Sequence, residues 1–253
     1  MDGYGGDQVR AAERPHLEAG EPLMQRAADG LARIVGDLLD DPAVRPVDGP
    51  GSVLVLVGSG DNGGDALFAA ARLASDGRRV ALVRVGSRVH EAGLAAALDA
   101  GARLLAGPGP SRADAGAADV LRAAAVPDGP RLAAVVTEAA AAADVLLDGI
   151  LGIGASGPVA LRSPARDVVD AVRELARDQR APFVVAVDLP SGVDPDTGGV
   201  ADEHVLHADV TVTFGGVKAG LLRGPGATLA GRVELVDVGI GDELAAVEPL
   251  VRT

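Results

Sequence analysis

SVLVLVGSGDNGGDALFAAARLASDG, residues 52–77, decides the fold. Ser52–Val57 is an apolar run of strand length, and a strand without polar alternation is one covered on both faces. Gly58, Gly60 and Gly63 then satisfy G-x-G-x-x-G at the point where a helical pattern opens, so backbone N–H groups at a helix N-terminus can face an anion. Working outward, the alternation repeats. A helix is predicted from about Gly20 to Leu39, strand RRVALVRV (78–85), a helix over Val89–Ala100, and strand ARLLAG (102–107). A helix within Arg112–Ala125 follows, then strand RLAAVV (131–136), strand DVLLDGI (144–150), a helix from about Pro164 to Asp178 and strand PFVVAVDL (182–189). HADVTVTFG and GRVELVDVG are shorter strands near the end. Strands alternating with helices imply a three-layer, Rossmann-like α/β/α sandwich with a mainly parallel central sheet, preceded by an N-terminal helical segment. No internal repeat or linker divides residues 1–253, so one domain is expected.

Composition narrows the chemistry. The chain has 48% hydrophobic residues, 23% charged residues and a net charge of −13, which excludes disorder and a phosphate-neutralising surface for bulk nucleic acid. Its aromatics are Tyr4, Phe68, Phe183 and Phe214, too few for base-stacking platforms. With no cysteine there is no thiolate ligand, thiol nucleophile or disulfide. Lys218 is the single lysine and Asn62 the single asparagine, and both read as positions that resisted replacement in an Arg- and Asp-rich composition. The start of the chain lacks a basic region and an apolar core, unlike a secretory leader. The longest apolar stretch, Leu132–Ile153, is interrupted by Glu138, Asp144 and Asp148, so no membrane span is expected. A cytoplasmic location is the default.

In doubly wound sheets, ligands bind at the carboxyl ends of strands, which draws attention to Gly58–Asp65, Asp148–Pro158 and Asp188–Asp194. NADH-type recognition wants an acid about 20 residues after the glycines, yet the second strand ends in Arg84, Val85 and Gly86. Arg84 or Arg88 facing a 2′-phosphate leaves an NADP-dependent reductase as an open reading, but the only tyrosine, Tyr4, lies at an N-terminus expected to fray. Asp61 and Asn62 read either as helix caps or as ligand contacts. Asp148 ends one strand before a second glycine-rich turn. Asp188 ends another, and a carboxylate desolvated there suits general acid–base work. No P-loop or nucleophile elbow is present. His204 and His207 are expected on opposite faces of a strand approach, as solvated histidines and not a metal pair.

Four segments in order, GSGDNGGDALFAAARLASDG, DGILGIGASGP, VVAVDLPSGVDPDTG and DVTVTFGGVKAGLL, resemble the YjeF N-terminal family, and PLMQRAADGLA is similar to that family's N-terminal helix pair. Catalytic members of the family are NAD(P)H-hydrate epimerases, isomerases of nicotinamide-nucleotide repair. Others are non-catalytic scaffold modules, the alternative reading. The resemblance implies that Asp61, Asn62, Gly63, Gly64 and Asp65, together with Gly152, Ile153, Gly154, Ala155, Ser156, Gly157 and Pro158, contact hydrated NADH or NADPH, with Asp188 catalytic at the reacting ring. It further implies a potassium ion on Asn62, Asp148 and Ser191, a homodimer, and partnership with an NAD(P)H-hydrate dehydratase. Asp61, where the family usually has asparagine, and Ala66, where it usually has glycine, depart from the pattern. Lys218 is open between orienting Asp188, meeting a phosphate and closing the C-terminal loop.

Overall fold

The computed structural model describes residues 1–45, 49–105, 129–154 and 158–253. Its centre is a seven-stranded parallel sheet in the order β4-β3-β2-β5-β6-β7-β8. These strands are β2 (Ser52–Val57), β3 (Arg79–Arg84), β4 (Arg103–Leu104), β5 (Val145–Gly149), β6 (Phe183–Val187), β7 (Val210–Phe214) and β8 (Arg232–Val236). Alternate residues of each strand feed two separate cores, as the period of two requires. Val53, Val55, Leu147, Val185 and Val212 pack under α2 (Leu23–Asp40), α3 (Asp61–Ser75) and α4 (Glu91–Asp99). Leu54, Leu56, Leu146, Val184 and Ala186 pack under α5 (Gly129–Ala141) and α6 (Ala165–Arg177). Both faces are therefore covered, which is why the strands lack polar alternation.

Strand order reverses between β2 and β5: the chain runs outward from β2 to β4 on one side, then from β5 to β8 on the other. That switch point places the loops after β2 and β5 side by side, with the Gly58 N–H donating to the Gly149 carbonyl at 3.0 Å. Such a gap is where doubly wound folds take ligands.

Two expectations are overturned. RLAAVV lies inside α5 and is not a strand: Leu132, Val136 and Ala140 recur at four-residue spacing and form the buried stripe, while the intervening alanines favour helix. A short apolar run does not by itself separate the two. The N-terminus is also not frayed at Tyr4. Strand β1 (Asp2–Gly3) pairs antiparallel with β9 (Val251–Arg252), and Tyr4 bridges to Lys218. A helix, α1 (Gly6–Glu18), follows directly. Two short helices, α7 (Gly224–Leu229) and α8 (Gly241–Ala245), complete the described elements with a 3-10 turn at Ala219–Leu221. The helix expected within Arg112–Ala125 lies outside the described residues. No described helix is long and apolar enough to cross a membrane.

Candidate functional site

The loop after β2 turns tightly because its glycines touch backbone. A Cβ on Gly58 would come 1.9 Å from the Ile150 carbonyl oxygen, and one on Gly63 would come 2.4 Å from that of Gly58. Helix α3 starts without a side-chain cap, Gly60 occupying the N-cap position. The capping reading of Asp61 and Asn62 therefore does not hold. Asp61 is exposed in the first turn, where a carboxylate suits the helix dipole. Asn62 is 7% exposed, and among the described residues neither its amide oxygen nor its amide nitrogen finds a hydrogen-bond partner. An orphaned buried amide costs on the order of 1–3 kcal/mol, a cost that a bound ligand or water would relieve. Gly63 and Gly64 are buried beside it.

Asp148 stands in register between Leu56 and Ala186, at the end of β5, and is completely buried. Ser191 donates to it twice, from its N–H at 2.9 Å and its hydroxyl at 2.6 Å, and the Ile150 N–H adds a longer contact at 3.4 Å. Burial pushes the Asp148 carboxyl above the usual range, and the Ser191 hydrogen bonds pull it part of the way back. Gly152 leaves room for the Asn62 amide, since a Cβ there would come 3.1 Å from Asn62 Oδ1. Among the described residues no three His, Cys, Asp or Glu side chains gather as a metal group. An amide, a carboxylate and a hydroxyl are instead donors that suit a hard cation.

Asp188 follows β6 and has φ of +66°, a left-handed conformation that costs a non-glycine residue about 1–3 kcal/mol. That twist sends its carboxyl toward the neighbouring β7. Oδ1 accepts from Thr213 Oγ1 at 3.2 Å, from the Phe214 N–H at 3.4 Å and from the Lys218 ammonium. None of these contacts uses Oδ2. Lys218, only 1% exposed, also donates to the Phe214 carbonyl at 2.8 Å. Of the roles open to it, these contacts fit orienting Asp188 and closing the loop after β7.

Asp65 sits three residues beyond Asn62 on the same face of α3. Its carboxyl is half-buried yet ringed by protein, and burial pushes it well above the usual range, reinforced by the charges of Asp188 and Asp61. In the second loop Gly152 and Ile153 are half-buried, whereas Gly154 and Pro158 are exposed; Ala155, Ser156 and Gly157 lie outside the described residues. His204 departs from the sequence expectation. It lies in the loop before β7, half-buried, with Nδ1 2.6 Å from Asp170 on α6.

Sequence reasoning missed the contribution of α1. The Arg10 guanidinium donates to the Ile153 carbonyl, and the Gly6 N–H donates to Asp196 Oδ1 at 2.7 Å. The Tyr4 N–H donates to the Val217 carbonyl, and the Ala219 N–H to that of Tyr4, both at 2.8 Å. Helix α1 therefore lies along the carboxyl edge of the sheet, tied to the loops after β5, β6 and β7. Glu13 stands four residues after Val9, on the stripe that faces inward. A carboxylate in an apolar register was the one local signal available.

Comparisons with known proteins give the family. Residues 20–220 match the family model described as YjeF-related protein N-terminus. A protein of Clavibacter michiganensis subsp. michiganensis named NAD(P)H-hydrate epimerase is 48% identical over 251 residues, 99% of this chain and 95% of its own length. One of the same name from Microbacterium testaceum is 48% identical, covering 98% and 82%. The bifunctional NAD(P)H-hydrate repair enzyme Nnr of Mycobacterium tuberculosis is 38% identical over 94% of this chain, which spans 41% of that protein. In structure, yeast YNL200c superposes with a TM-score of 0.61 at 19% identity, over 87% of this chain and 83% of the yeast one, a likeness of fold. Given a family model that spans most of the chain and relatives near half identity along its whole length, the chain belongs to the YjeF-related protein N-terminal family.

Proposed function

We propose that this chain is an NAD(P)H-hydrate epimerase, an isomerase that interconverts the R and S epimers of hydrated NADH or NADPH at ring carbon 6. The observation that carries this reading is the Asp188–Lys218 pair, an acid–base group held in strained backbone at the sheet's carboxyl edge, in a chain whose full-length relatives bear the epimerase name. The same retention of Asn62, Asp148, Asp188 and Ser191 argues against a non-catalytic scaffold module. The nucleotide is bound by Asp61, Asn62, Gly63, Gly64 and Asp65 on one side and by the loop 152–158 on the other, across the gap between β2 and β5.

Asn62, Asp148 and Ser191 would hold a potassium ion. The fit rests on the orphaned Asn62 amide and on Asp148, whose hydrogen bonds come from neutral donors. When bound, such an ion supplies positive charge beside the anionic part of the nucleotide. The chain's own residues do the rest. Asp188 Oδ2 is free to exchange a proton with the substrate hydroxyl, Lys218 and Thr213 fix the carboxyl, and the two glycine turns present backbone N–H groups. With so few aromatics in the chain, the ring is held by backbone and charge contacts and not by stacking.

The epimerase acts as a homodimer in the cytoplasm, residues 1–253 forming one domain of this type. Its product goes to an S-specific dehydratase, a partnership echoed in the bifunctional relative's name. The test is direct: an R/S mixture of hydrated NADH is supplied with such a dehydratase. Adding this protein should speed consumption of the R epimer beyond its spontaneous rate, and an unchanged rate overturns the reading.

A further inference from the structure

Inverting a carbinolamine carbon by loss and return of water needs proton traffic on both faces of the ring, because the oxygen leaves from one face and arrives at the other. Asp188 is a single carboxyl at the floor of the site, at the end of β6. Helix α1 lies over that edge, pinned by Arg10 to the loop after β5, by Gly6 to the loop after β6 and by Tyr4 to the strand end that carries Lys218. Glu13 is on its inward stripe. Among the described residues the Glu13 carboxyl makes no hydrogen bond or ion pair. The charged groups near enough to act on its carboxyl are Lys218 and Asp188 at the sheet edge, Asp61 and Asp65 from α3, and Arg10 from its own helix. We propose that Glu13 is a second catalytic acid–base residue, serving the face of the hydrated nicotinamide ring opposite to Asp188. This rests on the epimerase reading above.

The Glu13 carboxyl gives its proton to the C6 hydroxyl; the C6–O bond breaks, water leaves, and the N1 lone pair forms a C6=N1 iminium. Water then adds to the other face of C6, its extra proton passes to the Asp188 carboxylate, and the electron pair returns to N1. For the opposite epimer the two carboxyls exchange roles, and both reset by exchange with solvent. Burial raises the Glu13 carboxyl above its ordinary value, which favours the protonated form this step begins from.

The test compares wild type with E13Q, E13D and D188N, measuring R-to-S conversion of hydrated NADH in ¹⁸O-water. E13Q is expected to lose roughly 100-fold in kcat, with KM little changed. E13D, which keeps the charge on a shorter arm and covers the case in which E13Q does not fold, should lose roughly 10- to 100-fold. In wild type, solvent oxygen should enter at C6 in step with epimerisation and above the enzyme-free background. A folded E13Q or E13D within threefold of wild-type kcat, or epimerisation that outruns oxygen uptake and so signals ring opening, overturns the proposal. Loss of activity in D188N with full activity in E13Q would overturn the Glu13 role alone. An inactive wild type would overturn the epimerase reading itself, and this proposal with it.

Discussion

Two buried aspartates end neighbouring strands, and they are stabilised in different ways. Asp188 has a cation built into the fold: Lys218 touches it, and both are almost fully sequestered. Asp148, one strand away and fully buried, has only the neutral donors of Ser191 and Ile150. Its charge is left under-compensated, and burial raises its pKa accordingly. The contrast separates a carboxylate whose charge the fold neutralises from one whose charge it does not. A cation added from outside would gain more at the Asp148 carboxylate than at Asp188, which already holds an ammonium.

The largest effect is expected from breaking the pair. Lys218→Met removes the ammonium and leaves Asp188 buried without a counter-charge, so chemical denaturation should show a loss of about 3–5 kcal/mol together with the loss of epimerisation. Asp188→Asn keeps hydrogen-bonding capacity at the same place. Steady-state assays should show a fall of roughly 10²–10⁴-fold in kcat while nucleotide binding, measured by calorimetry, survives.

The Asp148 side of the comparison is sharpened by potassium and pH together. A carboxyl whose folded pKa is raised binds more protons when folded than when unfolded, so its contribution to stability falls as pH rises from the unfolded value through the folded one. Potassium favours the ionised form and should offset that loss. Melting temperature near pH 7 is expected to rise when potassium replaces tetramethylammonium, and Asn62→Ala or Asp148→Asn should abolish the response. An equal rise in those variants would count against the ion site.

The smallest effect belongs to a surface counterpart of the Asp188 pair. His16 on α1 lies 2.8 Å from Glu21 and 3.0 Å from Glu243 of α8, and its pKa is raised, first by the Glu21 hydrogen bond. Such a histidine adds stability that is fully present below its unfolded pKa near 6.5 and fades as pH rises through the folded value. His16→Gln should flatten that part of the Tm–pH curve slightly, leaving the alkaline limb unchanged.

Much of the site was legible because its residues are adjacent in sequence to strand ends. Asn62, Asp148, Asp188 and Ser191 could each be placed at the carboxyl edge from apolar runs and turn glycines alone. Lys218 could not. Its role depends on a left-handed Asp188 turning its carboxyl toward β7, and a side chain's direction is not encoded in a motif. Glu13 and Tyr4 were illegible for a related reason: α1 carries few apolar residues and is held by hydrogen bonds between side chains and backbone of loops more than 140 residues away. The misread RLAAVV shows the reverse failure, an apolar run whose neighbours decide its period.

The parallel three-layer architecture, the family and the chemical types available are all written in the linear order of residues, because two-sided burial and glycine turns leave local traces that distant packing does not erase. Only the tertiary structure decided which of those groups meet. Among the described residues it paired Lys218 with Asp188, left the Asn62 amide without a partner and set α1, which carries Glu13, along the sheet's carboxyl edge, since charge pairing and desolvation depend on distances between segments that the linear order keeps far apart.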